Sequence, residues 1–93
     1  MKTYEFNRKD FNWAEEYYDL IAEKMSLPKG SVNNADALYD TLTGFLETPC
    51  EIILTGFNKP ENEYNGYVIN LINGCFIDAE KDYPERFKVI FKP

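Results

Sequence analysis

The sequence predicts an α/β fold, a small three-stranded parallel sheet covered by helices. Strand-like segments near the start, middle and end of the chain are separated by stretches whose apolar residues recur every three or four positions. The resulting order is β-α-α-β-α-β, and strands separated by helices favour a mostly parallel sheet with right-handed crossovers. The middle strand is a continuous apolar run, the pattern of a central strand covered on both faces. With 93 residues the chain has room for one core and no linker, so residues 1–93 are expected to form a single domain.

Residues 3–6 alternate as a short first strand, and Asn7-Arg8-Lys9-Asp10 marks a turn. Asn12, with Glu15 three positions later, has the spacing of a capping box, so a helix should begin at Trp13. Its apolar stripe is Ala14, Tyr17, Tyr18, Ile21 and Met25, with the acids mostly off that stripe. Leu27-Pro28-Lys29-Gly30 ends it. After the polar connection Ser31–Asn34, either Asn33 or Asn34 can cap a second helix over about 34–46. Its inward face is Ala35, Leu38, Leu42 and either Phe45 or Leu46.

Pro49 stops the second helix, and Cys50-Glu51-Ile52-Ile53-Leu54 forms the expected central strand before Thr55-Gly56. Asn58-Lys59-Pro60-Glu61 opens the last helix, with proline tolerated and acid favoured in a first turn. Tyr64, Val68, Leu71, Cys75 and Ala79 follow at helical spacing, interrupted by Gly66 and Gly74. Tyr83-Pro84 breaks the helix, and residues 86–91 alternate as a terminal strand.

Composition removes several function classes. The chain has 10 basic and 16 acidic residues, a net charge of −6, which opposes binding to phosphate backbones or anionic lipid. It has no histidine, so Ser-His-Asp, Cys-His and His-bearing metal chemistry are excluded. Cys50 and Cys75 lack any disulfide-framework spacing and read as buried reduced thiols. The first residues are too polar for a signal peptide, and no apolar run approaches the roughly 20 residues a bilayer requires. These features together predict a cytoplasmic protein with no cofactor.

From Gly30 through Phe57 there is no basic side chain, yet Asp36, Asp40, Glu47 and Glu51 all fall there. On a helix, Asp36, Asp40, Thr43 and Glu47 share one row roughly opposite Leu38 and Leu42. Like charges one turn apart repel by a few tenths of a kcal/mol, and no cation within this helix relieves them. Asp36 gains from the helix dipole, so a solvated, capping face is the plain reading of the row. A cationic partner would relieve the repulsion. Tyr39, beside the row, is an aromatic of the kind enriched at interfaces, or a half-buried helix residue.

Leu27-Pro28, then Asn34-Ala35-Asp36-Ala37-Leu38-Tyr39-Asp40-Thr41-Leu42-Thr43-Gly44-Phe45, then Glu47 and Pro49 resemble the barstar family of ribonuclease inhibitors. The similarity runs from about Tyr4 to Pro49 and includes the fold order; beyond Leu54 only the general pattern matches. The resemblance implies that the second helix and the preceding loop plug the RNA-phosphate site of a small basic, extracellular-type ribonuclease, one-to-one. It implies no catalysis, and a free monomer. Asp40 would be the principal plug and Asp36 a second anion, with Asn34 and Thr43 as polar contacts. Tyr39 and Phe45 would be aromatic contacts or supports, Ala35 would touch the partner, Gly44 would permit close backbone approach, and Glu47 would complete the set.

Departures from the family pattern bear on the partner. Gly30-Ser31-Val32 stands where the best-known member has Tyr-Tyr-Gly, and Thr41 replaces a helix cysteine. An acidic contact from the later helix falls among Asp78, Glu80 and Asp82. The competing reading is the same scaffold serving a different, non-nuclease partner in interaction or immunity. Asp78-Ala79-Glu80-Lys81-Asp82 spaces oxygens like a calcium loop, but Tyr83 and Val89 occupy the positions of its turn glycine and closing acid. Asp36 and Asp40 as a hydrolase pair would aim the same way from adjacent turns, instead of flanking a bond.

Overall fold

A computed structural model describes residues 1–93 as β1 (Lys2–Asn7), a 3-10 turn (Arg8–Asp10), α1 (Ala14–Lys24), α2 (Ala35–Gly44), β2 (Cys50–Thr55), α3 (Glu63–Asp82) and β3 (Phe87–Lys92). The three strands form one parallel sheet in the order β1-β2-β3. Tyr4, Ile52 and Val89 align across it, as do Phe6, Leu54 and Phe91. The middle run is the central strand, as its hydropathy predicts.

Coverage of β2 is less complete than the sequence implies. Cys50, Ile52 and Leu54 are buried, while Glu51, Ile53 and Thr55 are half-exposed. The unbroken apolar run arises because Ile53 sits on the less covered face with Ile90 as its neighbour, and cross-strand pairing of β-branched residues stabilises a half-buried face.

The core is rich in aromatic residues. Tyr17 stacks on Phe11 with centroids 4.3 Å apart and on Phe57 at 5.4 Å, and Phe6 stacks on Phe76 at 5.8 Å. The α1 stripe is buried at all five expected positions. Its cap differs from the expected one: Trp13, not Asn12, occupies the position before the helix. The carboxylate three residues on is therefore Glu16, whose Oε1 accepts from the N–H groups of Asn12 (2.8 Å) and Trp13 (2.9 Å). Those bonds hold its carboxyl below the usual range.

Helix α2 is shorter than the expected 34–46. Asn34 is its cap, accepting from the Ala37 N–H at 2.8 Å, and the inward alternative is settled in favour of Leu46. Leu46 is 8% exposed and Phe45 is 84% exposed.

The buried face of α3 is rotated from the expected stripe. Asn65, Ile69, Ile72, Asn73, Cys75, Phe76 and Ala79 are buried, whereas Tyr64 and Leu71 are exposed. Two asparagines face inward because each is satisfied there. The Tyr17 hydroxyl donates to Asn73 Oδ1 at 2.6 Å. Asn65 accepts from the Ala14 N–H at 2.9 Å and donates to the Asn12 carbonyl at 3.1 Å. Buried polar groups with partners carry little penalty, and hydropathy cannot anticipate them. The helix starts at Glu63, capped by Asn62, so Pro60 precedes it. The terminal strand lies one residue later than expected.

Candidate protein-binding site

Leu38 and Leu42 fix the orientation of α2. Both are fully buried, and residues half a turn away must then face outward. Asp36, Asp40 and Glu47 are exposed, and Thr43 is half-buried. Asn34 at the cap and Asp36 in the first turn are where the helix dipole favours an acceptor and an anion.

None of these carboxylates is neutralised within the chain. The single ion pair in the molecule joins Arg8 to Glu61, at the other end of α3. The nearest basic group to the α2 terminus, Arg86, is engaged elsewhere: its Nη2 donates to the Thr43 carbonyl at 3.0 Å and its Nε to Thr48 Oγ1 at 3.2 Å. It also lies over the rings of Tyr83 and Phe87. It therefore satisfies a helix-terminal carbonyl and leaves the acids alone.

A groove of about 480 Å³ runs between α2 and α3. Ala35, Asp36, Tyr39 and Asp40 form one wall, and Asn70, Leu71, Gly74, Cys75 and Asp78 form the other. Ala35 is half-buried, and its carbonyl faces the Cys75 thiol at 3.3 Å. The Cys75 thiol is pushed up to about 11, first by burial and then by Asp78 and Asp36, which places it within the field of both carboxylates. Both cysteines are buried and unpaired.

Tyr39 lies half-buried at this seam, its hydroxyl donating to the Asp82 carboxylate. That bond, with a smaller effect of burial, pushes the Tyr39 hydroxyl up to about 12. It also separates the three acids that sequence alone leaves equivalent. Asp82 is occupied by Tyr39, and Glu80 accepts from the Val89 N–H at 2.8 Å. Asp78 has no partner and lines the groove with Asp36 and Asp40.

At the far end of α2, Gly44 and Phe45 are exposed, and a Cβ built on Gly44 would meet nothing within 4 Å. The fold itself does not require glycine there. Thr43 Oγ1 donates to the Tyr39 carbonyl at 2.9 Å, leaving its oxygen lone pairs available. In the loop before α2, Gly30 adopts φ +82°, Ser31 Oγ donates to the Pro28 carbonyl at 2.6 Å, and Val32 is buried. This tight turn presents no aromatic surface.

The sequence therefore locates the α2 row, and the structure adds the α3 wall. Asn70 had no signal of its own, and Leu71 and Gly74 read in the sequence only as a core position and a helix interruption, because a residue's place in an interhelical groove depends on how two distant helices dock.

The family model described as "Barstar (barnase inhibitor)" matches residues 1–92, and the chain belongs to the barstar family. It is also similar to a protein of Bacillus subtilis (strain 168) named "Putative ribonuclease inhibitor YrdF", with 26% identity over 84 residues, 90% of this chain and 91% of that one.

Proposed function

We propose that this chain inhibits a small basic ribonuclease inside the cell by forming a one-to-one complex in which α2 occupies the RNA-phosphate site. One observation carries the reading: an exposed acidic row with no cation of its own, in a chain of an inhibitor family. A ribonuclease must converge arginine and lysine donors on phosphate, and a carboxylate accepts the same donors, from arginine bidentately. No chemistry is needed on the inhibitor's side.

Asp40, at the centre of the row, is the principal phosphate mimic, with Asp36 beside it on α2 and Asp78 facing it across the groove. Asn34 and Thr43 supply polar contacts. Ala35 and Tyr39 pack along the seam, Phe45 inserts an exposed ring, Gly44 admits the partner's backbone, and Glu47 sits at the rim. The excess negative charge steers encounter, so the association rate falls as salt rises.

The test is inhibition of RNA cleavage by wild type and Asp40→Ala. Removing one carboxylate of a desolvated pair costs about 2–5 kcal/mol, a magnitude that comes from the family's own archetypal pair, barnase and barstar. Asp40→Ala should therefore weaken inhibition by at least about thirtyfold. Equal potency of the two proteins would reject the mechanism.

The turn Gly30–Val32, which offers no aromatic contact, favours a second reading in which the partner is not a nuclease. Recovery of a partner whose binding depends on that turn, and not on Asp40, would select it.

A further inference from the structure

Helix α2 is ten residues long, about 15 Å, whereas a stable protein–protein interface involves roughly 20–30 residues a side. The partner must reach beyond α2. Four large side chains on α3 are exposed: Tyr64 is 61% exposed, Tyr67 65%, and Leu71 and Ile77 43% each; Ile77 points away from the other three, which share one side of the helix. Leu71 lines the groove together with Asp36 and Asp40, so a partner seated on the acidic row meets it. Tyr64 and Tyr67 lie seven and four residues before Leu71, on the same side of α3, and carry that surface past the start of α2.

The helix also carries no cation of its own before its last turn. Between Lys59 and Lys81 there is no basic residue, and although Arg8 takes up Glu61 and the Val89 N–H takes up Glu80, Glu63 and Asp78 stand exposed without a cation. Tyrosine faces attract arginine and lysine, so this wall suits the same cationic protein as α2 does. Gly74 adds an independent sign. It lies inside the 20-residue α3, where glycine costs about 1 kcal/mol relative to alanine, yet an added Cβ would meet nothing within 4 Å. It lines the groove beside Leu71, Cys75 and Asp78.

Resting on the function proposed above, we infer that the Tyr64–Tyr67–Leu71 surface of α3 is a second contact with the basic ribonuclease, gripping its cationic flank outside the phosphate cleft, with Gly74 leaving room for close approach. The acidic row governs arrival. The tyrosine and leucine side chains govern residence, because desolvated aromatic and aliphatic anchors act mostly on dissociation.

The experiment screens a panel of small cationic extracellular ribonucleases and carries forward one that wild type inhibits. Leu71→Ala, Tyr64→Ala, Tyr67→Ala, Gly74→Ala and Asp40→Ala are compared on it by inhibition constant and by association and dissociation rates at two salt concentrations. Thermal midpoints confirm folding. The stripe variants should each weaken inhibition by about five- to thirtyfold, through faster dissociation and with unchanged salt dependence. Gly74→Ala should be more heat-stable and yet weaker.

Stripe and Gly74 variants within twofold of wild type, while Asp40→Ala is impaired, would overturn this inference and leave the proposed function standing. Stripe variants that abolish self-association, with inhibition intact, would assign the surface to a second copy and overturn it too. A panel in which no nuclease is inhibited removes both proposals. Weakening by the stripe variants with Asp40→Ala at full potency upholds the α3 contact and rejects the phosphate-mimic mechanism.

Discussion

Glu61, just before α3, and Asp78, towards its far end, carry the same group in opposite circumstances. Glu61 accepts from Arg8 Nε and from Arg8 Nη2 at 2.7 Å, and Asn65 Nδ2 donates to it at 3.2 Å. Asp78 accepts from nothing and faces an open groove with two other acids. At one end of the helix a carboxylate is consumed in joining the 3-10 turn after β1 to the start of α3. At the other, carboxylates are left unpaired in a row that is mildly unfavourable to the isolated molecule. The contrast separates charges that make the fold from charges the fold leaves unpaired, which the proposed function assigns to a partner.

The sharpest way to break this division is to remove Arg8. Its side chain is buried, lies over the Phe11 ring with its Cζ 4.7 Å from the centroid, and holds Glu61. Removing Arg8 leaves the Glu61 charge uncompensated, and because Glu61 keeps part of its exposure the cost lies at the low end for a buried pair, about 3 kcal/mol. Arg8→Ala should therefore unfold at markedly lower denaturant, while the fraction that remains folded keeps its inhibition constant. A comparable loss of intrinsic affinity would mean that the two ends are not separate.

A smaller effect is expected at Glu61 itself, and pH exposes it. The Arg8 side-chain bonds hold its carboxyl below the ordinary glutamate range. A depressed folded-state value contributes stability that is fully present above the unfolded value, about 4.3. That contribution is lost as pH falls through the folded value. Glu61→Gln should lower stability by about 1–3 kcal/mol near neutrality, and the gap to wild type should shrink towards pH 3 in urea titrations. A gap independent of pH would show that the ion pair is not the source.

How far the sequence reveals these two regions follows from the reach of each interaction. The α2 row, its Asn34 cap and its Leu38 and Leu42 anchors are local periodicity, so they are legible by spacing alone, as are the order of elements and the central place of β2. The Arg8–Glu61 pair spans 53 positions, and Asn65 and Asn73 are inward because of partners on α1 or just before it. No local pattern marks such residues, and the polar ones displace Tyr64 and Leu71 from the face that hydropathy assigns them. The same displacement creates the exposed α3 surface beside the groove.

The smallest stability effect gives the clearest separation between fold and partner. Gly44 ends α2 with a helical backbone and open space where a Cβ would stand. Alanine has the higher helix propensity by up to about 1 kcal/mol in a helix interior, and at a last turn a few tenths is the expected gain. Gly44→Ala should therefore melt at or slightly above the wild-type temperature. If the space is kept for the partner's backbone, the same methyl should weaken inhibition by about tenfold, with loss of close packing on the nuclease side. A variant both more stable and equally potent would show that Gly44 is incidental. The partner would then approach α2 from the Asp36 and Asp40 end alone.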